Sequence, residues 1–428
     1  MKSAQLSMDA LDSAIARLPD GRLTSLRSAG LAHLREHGLP TTRDEDWKYT
    51  DLSPIVDISN QWLDRGGELA PQTDTSDISA GIKQNIDADW LVIANGQIDL
   101  QSVLALAQAG VRVELLSEQD DSANFAVPLA NLNAALLHDG LCISVDANCT
   151  VERPIGILVV DNAAKTAGVS QIRVDVLVGA NTTLDLIEYH GSSGKGDHYA
   201  NSVINLALGD NARANCVRIQ DRARTHNQTG RLTVNLGRDS QFNHCAFDFG
   251  GRLIRNDLVV EISEPGSVAI FDGLYLAGDD QHIDNHTRVD HRVGPATSQQ
   301  EYRGVLTGNA RCIWNGKAIV HEGADGTDAE QANHNLLLSD KAEIDAKPEL
   351  EIYTDDVKCS HGTTVGQLDE TSLFYLRTRG IDEVSARQIL TVAFAQTIVG
   401  KNPIRSLHES LAEMVTARLN ALIEASAG

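Results

Sequence analysis

The sequence has few aromatic residues, no closely spaced cysteines and no long apolar run. Only 4% of its 428 residues are Phe, Trp or Tyr, which argues against a surface that stacks nucleic-acid bases. No run of about eighteen apolar residues occurs, so no membrane-spanning helix is predicted. The N-terminus also lacks the apolar segment of a signal peptide. The cysteines form no CxxC pair, which indicates a reducing cytoplasm rather than a disulfide framework; they are Cys142, Cys149, Cys216, Cys245, Cys312 and Cys359.

Basic residues are outnumbered by acidic ones. The chain has 36 Lys and Arg against 59 Asp and Glu, for a net charge of −23. Such a chain repels phosphate backbones and anionic membranes, so neither nucleic acid nor a membrane is expected as a partner. The GxSxG, HExxH and Walker A motifs are missing too, as is a GxGxxG following a strand. Nothing in the sequence requires an enzyme.

A regular spacing of glycine turns is present between residues 140 and 360. Short apolar runs alternate there with turns whose glycines are 30, 28, 29 and 28 residues apart, at Gly179, Gly209, Gly237, Gly266 and Gly294. A period of this length that carries strands instead of helices is typical of a repeat architecture. We therefore predict a mainly β protein whose core is a parallel β-helix. A β-sandwich is the alternative, and it would show less regular spacing and fewer strands.

The remaining parts of the sequence predict further regions on both sides of the β-helix. Residues 1–80 read as a helical N-terminal region and linker, 81–138 as a small α/β segment, 139–365 as the β-helix and 366–428 as a helical domain. In that domain Asp369 and Asp382 each suit an N-cap, and Asn402-Pro403 suits a third helix start. The third helix carries an apolar stripe that serves either as core or as a partner surface: Ile404, Leu407, Leu411, Met414, Val415, Leu422 and Ile423.

Cys359 and His361 are the first candidate metal ligands. They follow strand-like residues, and side chains two apart on a strand project from the same face. A thiolate and an imidazole suit zinc, iron or an iron–sulfur unit. Two ligands are too few for a site, so the others must come from elsewhere or from another chain. The alternative is a small buried thiol beside a hydrogen-bonded histidine.

A weaker candidate cation site consists of His282, Asp284 and His286, which alternate along one strand. An exposed polar face with ordinary hydrogen bonds is the alternative reading. Residues 43–50, which contain Trp47 and Tyr49, are expected to form a loop that docks its rings on the core.

Several longer stretches resemble the SufB/SufD family. They are residues 355–369, 373–380, 282–291, 302–305, 336–343 and, near the N-terminus, 45–50. Within the family the chain is more similar to the SufD branch. It has Asn333-His334-Asn335 where the SufB branch carries a cysteine-containing segment before a double leucine, and Gly362 where that branch tends to have Glu.

This resemblance implies a right-handed parallel β-helix and a non-catalytic scaffold role in cytoplasmic assembly of iron–sulfur clusters. It implies a heterodimer with SufB through the two β-helices, and docking of the SufC ATPase on the C-terminal helices. By the same resemblance, His361 and then Cys359, as ligand or structural thiol, lie at the SufB interface and bind iron or a nascent cluster only transiently. No permanently bound cofactor is implied.

Three alternatives remain open at this point. The chain alone could form a homodimer, because a β-helix exposes strand edges at its ends. It could bind iron by itself through His282, Asp284 and His286. A polysaccharide-active enzyme is the last alternative, since many β-helices host that chemistry.

Overall fold

The computed structural model describes residues 5–71, 75–118, 128–163 and 166–426. Within these ranges the N-terminal part contains six α-helices and three short strands. The helices are α1 (Met8–Ile15), α2 (Leu23–His37), α3 (Ser53–Leu63), α4 (Ser76–Asn85), α5 (Leu100–Ala105) and α6 (Pro128–Leu136). The strands are β1 (Asp89–Ala94), β2 (Gln97–Ile98) and β3 (Val111–Leu115).

A long array of parallel strands forms the centre of the molecule. Its first eight strands are β4 (Leu141–Val145), β5 (Ile155–Asn162), β6 (Gly168–Val178), β7 (Thr183–Ser193), β8 (His198–Leu208), β9 (Arg213–Asp221), β10 (His226–Leu236) and β11 (Gln241–Asp248). The next eight are β12 (Leu253–Ile262), β13 (Val268–Ala277), β14 (His282–His291), β15 (Thr297–Leu306), β16 (Arg311–Val320), β17 (Thr327–Leu337), β18 (Glu343–Ile352) and β19 (Val357–Gly366).

Successive strands of this array alternate between two sheets. Sheet A has the order β19-β17-β15-β13-β11-β9-β7-β5-β1-β2, and sheet B has the order β18-β16-β14-β12-β10-β8-β6-β4-β3. All neighbours from β4 to β19 pair in parallel. Each pair of consecutive strands is therefore one turn of a β-solenoid. This confirms the parallel β-helix and excludes the β-sandwich. β1 belongs to sheet A although it precedes the predicted core segment 139–365.

The glycine period corresponds to the turns that follow the strands of sheet B. The N–H groups of the first three of these glycines donate to a carbonyl of the preceding turn, from Gly179 to Val145, from Gly209 to Val178 and from Gly237 to Leu208. Two residues later the backbone enters the left-handed region, at φ 56° in Asn181 and 54° in Asn211. Asn tolerates this conformation better than most residues, which explains the recurrence of Asn and Asp after these glycines.

The interior between the two sheets has an apolar half and a polar half. Val174, Leu206 and Val260 belong to the apolar half, which is one continuous cluster of buried side chains. The polar half contains a buried ion pair in which Arg222 Nη1 donates to Asp161 Oδ2 at 2.6 Å. Burial alone would raise the pKa of Asp161, but the neighbouring His198 and Arg222 lower it to about 2. Buried charges therefore occur here as bonded pairs.

Helices cover both outer faces of the solenoid. The outer face of sheet A is buried under α4 and two C-terminal helices, α8 (Glu383–Val399) and α9 (His408–Ser426), and α7 (Glu370–Thr378) precedes them. The outer face of sheet B packs against α3 and α6, and α1 packs on these two helices. In the part of the chain that the structure describes, no helix is long and apolar enough to cross a membrane.

The predicted caps of α7 and α8 are present, and the predicted start of the third helix is wrong. Asp369 Oδ2 accepts from the Ser372 N–H, and Asp382 Oδ1 accepts from the Ser385 N–H. Asn402 instead closes a local turn, in which its side chain bonds both the N–H and the carbonyl of Ile404. Because this turn holds Ile404 extended, α9 begins only at His408.

Acid should destabilise this fold well above the pKa of its carboxylates. Burial lowers the pKa of His198 and His291 to about 4 and that of His226 and His244 to about 3. The unfolded chain binds protons at these imidazoles near pH 6.5, so stability is highest above pH 6.5 and falls as the pH drops toward 4. Each histidine contributes a slope of up to about 1.4 kcal/mol per pH unit.

The measurement is the midpoint of urea unfolding at pH 7.5, 6.5, 5.5 and 4.5. Asp272 has the opposite effect on the pH dependence of stability, because burial raises its pKa to about 6 despite the nearby Lys401. We expect the four histidines together to outweigh this single carboxylate. The variant His244→Gln should show a shallower decline, whereas His37→Gln, at an exposed site, should match the unmodified protein. A midpoint independent of pH would contradict the expectation.

Candidate functional site

The two ends of the solenoid differ. At the first end β2 and β3 pair antiparallel with their neighbours and are short, and α5 packs on β1. At the second end sheet A stops at β19 and sheet B stops at β18. Within the described ranges no strand pairs with the outer edge of either one. The backbone N–H and C=O groups along these edges are a template for a further strand.

Cys359 and His361 lie on β19, facing the inside of the solenoid. In the parallel register, Cys359 is opposite Ala329 and His361 is opposite Gln331. The side chains of Ala329 and Gln331 are 0% and 4% exposed in the interior, and in-register strands project paired side chains to the same face. The structure therefore brings both candidate ligands to one face of the last turn, as the sequence predicts. In the part of the chain that the structure describes, no further turn covers them, so both side chains are accessible to a partner that binds at this end.

The protonation of Cys359 restricts what it can bind. Partial burial is the main reason that its pKa is raised, and Asp328 adds to the effect. A thiol must lose its proton to become a metal ligand, so binding at Cys359 requires a cation that displaces the proton. His361 is exposed. Among the described residues no group of three or more His, Cys, Asp or Glu side chains is placed to hold a metal ion.

The second candidate, on β14, is occupied by hydrogen bonds. Thr50 Oγ1 contacts His282 Nε2 at 2.8 Å and donates to Asp284 Oδ2 at 2.5 Å. Arg255 Nη1 donates to the same carboxylate oxygen at 2.6 Å, and His286 Nε2 lies 3.0 Å from the other. Burial alone would raise the pKa of Asp284, but Arg255 and His286 outweigh it and hold the pKa far below its usual range. These contacts favour the hydrogen-bonding alternative over a cation site.

The segment that contains Trp47 docks on the outer face of sheet B. The Trp47 ring lies 4.3 Å from the guanidinium carbon of Arg255, and the same guanidinium donates to Asp46 O at 2.9 Å. The Tyr49 ring lies 5.7 Å from the guanidinium carbon of Arg311. The residues from 46 to 50 thus cross several strands of the sheet, as expected for a docking loop, and they fix the polar cluster around Asp284 in place.

The C-terminal helices carry exposed apolar side chains on α7 and α8, called here the apolar patch, whereas the predicted stripe, for which the sequence left core and partner surface open, is buried. The stripe on α9 and the turn before it is largely core, since Ile404, Leu411 and Val415 are buried against sheet A. The exposed side chains belong to α7 and α8 and are 46 to 68% exposed: Phe374, Tyr375, Val384 and Ile389. Adjacent aromatics, in a chain with so few, are the signal that could have identified them.

Ion pairs attach α8 to sheet A near the open end. Just beyond α8, Lys401 Nζ lies 3.1 Å from Asp272 Oδ1 and 2.7 Å from Glu301 Oε2. On β15, Arg303 Nη1 donates at 3.0 Å to the carbonyl of Phe394, and its guanidinium carbon lies 4.9 Å from the Phe394 ring. The last part of α8 is consequently fixed to strands β13 and β15.

Comparison with known proteins agrees with this architecture. The family model described as the SufBD core domain of the SUF system for FeS cluster assembly matches residues 159–394, which are most of the solenoid and the first part of the helical domain. The described solenoid strands β6 to β19 all lie within that range.

Individual relatives extend the similarity beyond the core. The iron–sulfur cluster assembly protein SufD of Escherichia coli is 28% identical over 395 residues, which are 91% of this chain and 90% of that protein. A SufBD family protein of Synechocystis is 28% identical over 93% of this chain and 92% of its own. A third, from Mycobacterium leprae, is 31% identical over 76% of this chain and 83% of its own. The chain therefore belongs to the SufBD family of iron–sulfur cluster assembly proteins.

Proposed function

We propose that this chain is a non-catalytic scaffold subunit that holds half of a ligand set for iron or a nascent cluster. The observation that carries the proposal is the placement of Cys359 and His361 on the inner face of the last turn, next to an open strand edge. A subunit of this kind works in the cytoplasm as part of a complex with SufB and SufC, to which it contributes ligands and not turnover.

Pairing with SufB through the open end has a physical basis. An unpaired edge of this length favours strand addition from a second chain, with backbone hydrogen bonds supplying the affinity. Ile352, Tyr353 and Val365 lie beside the edge and are 41, 61 and 52% exposed, so apolar area is available for burial. A second SufB-like solenoid docked there would face Cys359 and His361 with its own side chains and complete the coordination. Without SufB, the same edge suits a homodimer.

The apolar patch on α7 and α8 is the proposed docking site for SufC. It combines aromatic and aliphatic side chains of the type that dominate protein interfaces. β19 ends at Gly366 and α7 starts at Glu370, so a protein bound at the patch sits close to the ligand-bearing strand. Both partners would then act on the same end of the molecule.

The first test replaces the exposed ligand. His361→Ala, in a complex reconstituted with SufB and SufC, should leave complex size unchanged and lower the iron and sulfide bound after cluster assembly by about tenfold or more. Even the loss of a residue that only hydrogen-bonds to a metal ligand costs about 10- to 100-fold in metal affinity or activity. His334→Ala is the matched control, because His334 lies on the neighbouring strand and pairs in register with Thr364 on the opposite face.

Cys359→Ser separates the two roles left open for the thiol. A ligand role predicts the same loss as His361→Ala, and a structural role predicts a normal cluster yield with a lowered unfolding midpoint. A normal yield from His361→Ala would overturn the ligand assignment, and failure of the unmodified chain to bind SufB would overturn the scaffold role.

The second test addresses the helical patch. The double variant Phe374→Asp, Val384→Asp should abolish co-purification with SufC and leave the unfolding midpoint unchanged, because both side chains are exposed. Leu104→Asp, at an apolar side chain that is 76% exposed near the other end, should retain SufC. Point variants are preferable to deleting the helices, since deletion would uncover Val217, Phe247 and Leu274 on sheet A. Undiminished SufC binding by the double variant would place the docking site elsewhere.

A further inference from the structure

The two strand edges at the open end differ in composition. Five of the ten residues of β18 are charged, whereas β19 has one charged residue when His361 is counted as neutral. β18 also contains Pro348, and β19 contains no proline. Charged side chains, lysine in particular, and proline are features by which proteins keep an edge strand from pairing with another chain. By this criterion the edge of β18 is protected and the edge of β19 is not.

Pro348 removes a hydrogen-bond donor from the open side of β18. At the start of the strand the N–H of Glu343 donates to Ala310 O. Just after the strand the N–H of Tyr353 donates to Val320 O, so both bonds point toward β16. Backbone N–H groups alternate between the two sides of a strand, so the even-numbered residues of β18 face the open edge. Pro348 lies in the middle of that row and has no N–H, so an added strand would lose a hydrogen bond there.

The outward side chains of β18 oppose pairing with a second copy of this chain. They are Glu343, Asp345, Lys347, Glu349 and Glu351. In an antiparallel pair centred on Lys347, each of them would lie opposite a like charge, and like charges directly opposite destabilise a strand pair. A shift by two residues brings Lys347 opposite Glu349 but places Asp345 opposite Glu351.

Ion pairs within the chain reduce this repulsion only in part. Asp345 Oδ2 lies 3.0 Å from Arg311 Nη2, and Glu351 Oε1 lies 2.5 Å from Lys317 Nζ. Both cations are on β16, on the side away from the open edge. Glu343 comes no closer than 3.7 Å to Arg311, and its side chain is 59% exposed. A strand beside β18 would therefore meet carboxylates whose cations lie one strand further back.

The edge of β19 keeps all of its backbone donors. On β17 the N–H groups of Asp328 and Leu338 donate toward β15, so the odd-numbered carbonyls of β17 face β19. In the parallel register of these two strands, those carbonyls accept from the even-numbered N–H groups of β19. The N–H groups that face the open edge are therefore those of Cys359, His361, Thr363 and Val365. None of these residues is a proline, so all four can pair with an added strand.

We propose that a partner's strand pairs with β19 alone, and that β18 is a guarded edge which keeps sheet B from being extended. The inference rests on the proposed function, because it specifies how the second solenoid docks at the open end. Its occupant is one extended strand of SufB, which lies directly beside Cys359 and His361. The two solenoids are then joined by backbone hydrogen bonds in one sheet and by side-chain contacts in the other.

Hydrogen exchange of the full chain, free and in complex with SufB, tests the proposal. The edge-facing amides of residues 357–366 should exchange about tenfold or more slowly in the complex, because they gain hydrogen bonds. The amides of residues 343–352 should change much less. Equal slowing in both strands would overturn the proposal. Failure of the unmodified chain to bind SufB would instead contradict the proposed function.

Two proline variants compare the edges directly. Thr363→Pro removes an edge-facing N–H from β19, and its ring keeps an added strand away, so SufB binding should weaken by about tenfold or more. Ala346→Pro is the matched control, because it blocks an edge-facing N–H of β18 and should bind SufB normally. Neither N–H bonds a neighbouring strand of the chain, so the unfolding midpoints should stay close to that of the unmodified protein. Equal loss of SufB binding in both variants would overturn the assignment to β19.

Self-association of the chain alone tests the guard on β18 without SufB. The double variant Glu343→Lys, Pro348→Ala restores the missing N–H and brings a cation opposite Glu351 of a second copy. Sedimentation equilibrium should show self-association about tenfold tighter than that of the unmodified chain. Glu36→Lys, at a side chain on α2 that is 75% exposed, makes the same charge change away from the edge and should have no such effect. Unchanged self-association of the double variant would overturn the guarding role of β18.

Discussion

The backbone ladder between parallel turns is the constraint on which the rest of the structure depends. In a solenoid every strand satisfies its N–H and C=O groups only through the turn before it and the turn after it, so each end presents an unsatisfied row. This chain closes one end with short antiparallel strands and a helix and leaves the other with two ten-residue strands, β18 and β19. The asymmetry gives the molecule one direction in which it can be extended. The candidate ligands lie on the terminal strand, so a partner that binds at that edge would come next to them.

Much of this architecture could be predicted from the sequence because turns carry strong local signals. The glycines at 28- to 30-residue intervals locate every turn after sheet B from β6 to β14. The strands were less completely visible. Val203–Leu208 is a recognisable apolar run, but β8 starts at His198. Its first residues face alternately the polar half of the interior and the helix α6, where Asn201 Nδ2 donates to the Leu129 carbonyl. Buried Asn201 and Ser202 are indistinguishable by composition from a loop, so the length of such strands depends on pairing that one sequence does not reveal.

The candidate site also has features that the sequence predicts and features that only the folded chain shows. The two-residue spacing of Cys359 and His361 predicts that they share a face, and the structure has them on one. The sequence does not show whether that face is the inner or the outer one, because this depends on the register of β19 with β17. It also does not show that β19 lies at an end of the solenoid, because this depends on how the turns stack. The alternation of His282, Asp284 and His286 was equally regular. It could not reveal that Thr50 and Arg255, distant in sequence, already satisfy the carboxylate.

The burial of sheet A under the last helices also has a consequence for synthesis of the chain. Strands β9, β11 and β13 present Val217, Ile219, Phe247 and Leu274 to α8 and α9, which leave the ribosome after the strands that they cover. At translation rates of about 5–20 residues per second, the solenoid can fold turn by turn while this apolar wall stays uncovered for several seconds. The nascent protein therefore passes through a stage with an exposed hydrophobic face beside growing strand edges. We expect the delay until α8 and α9 emerge, more than the stability of any single turn, to govern how much of the nascent protein needs chaperone protection.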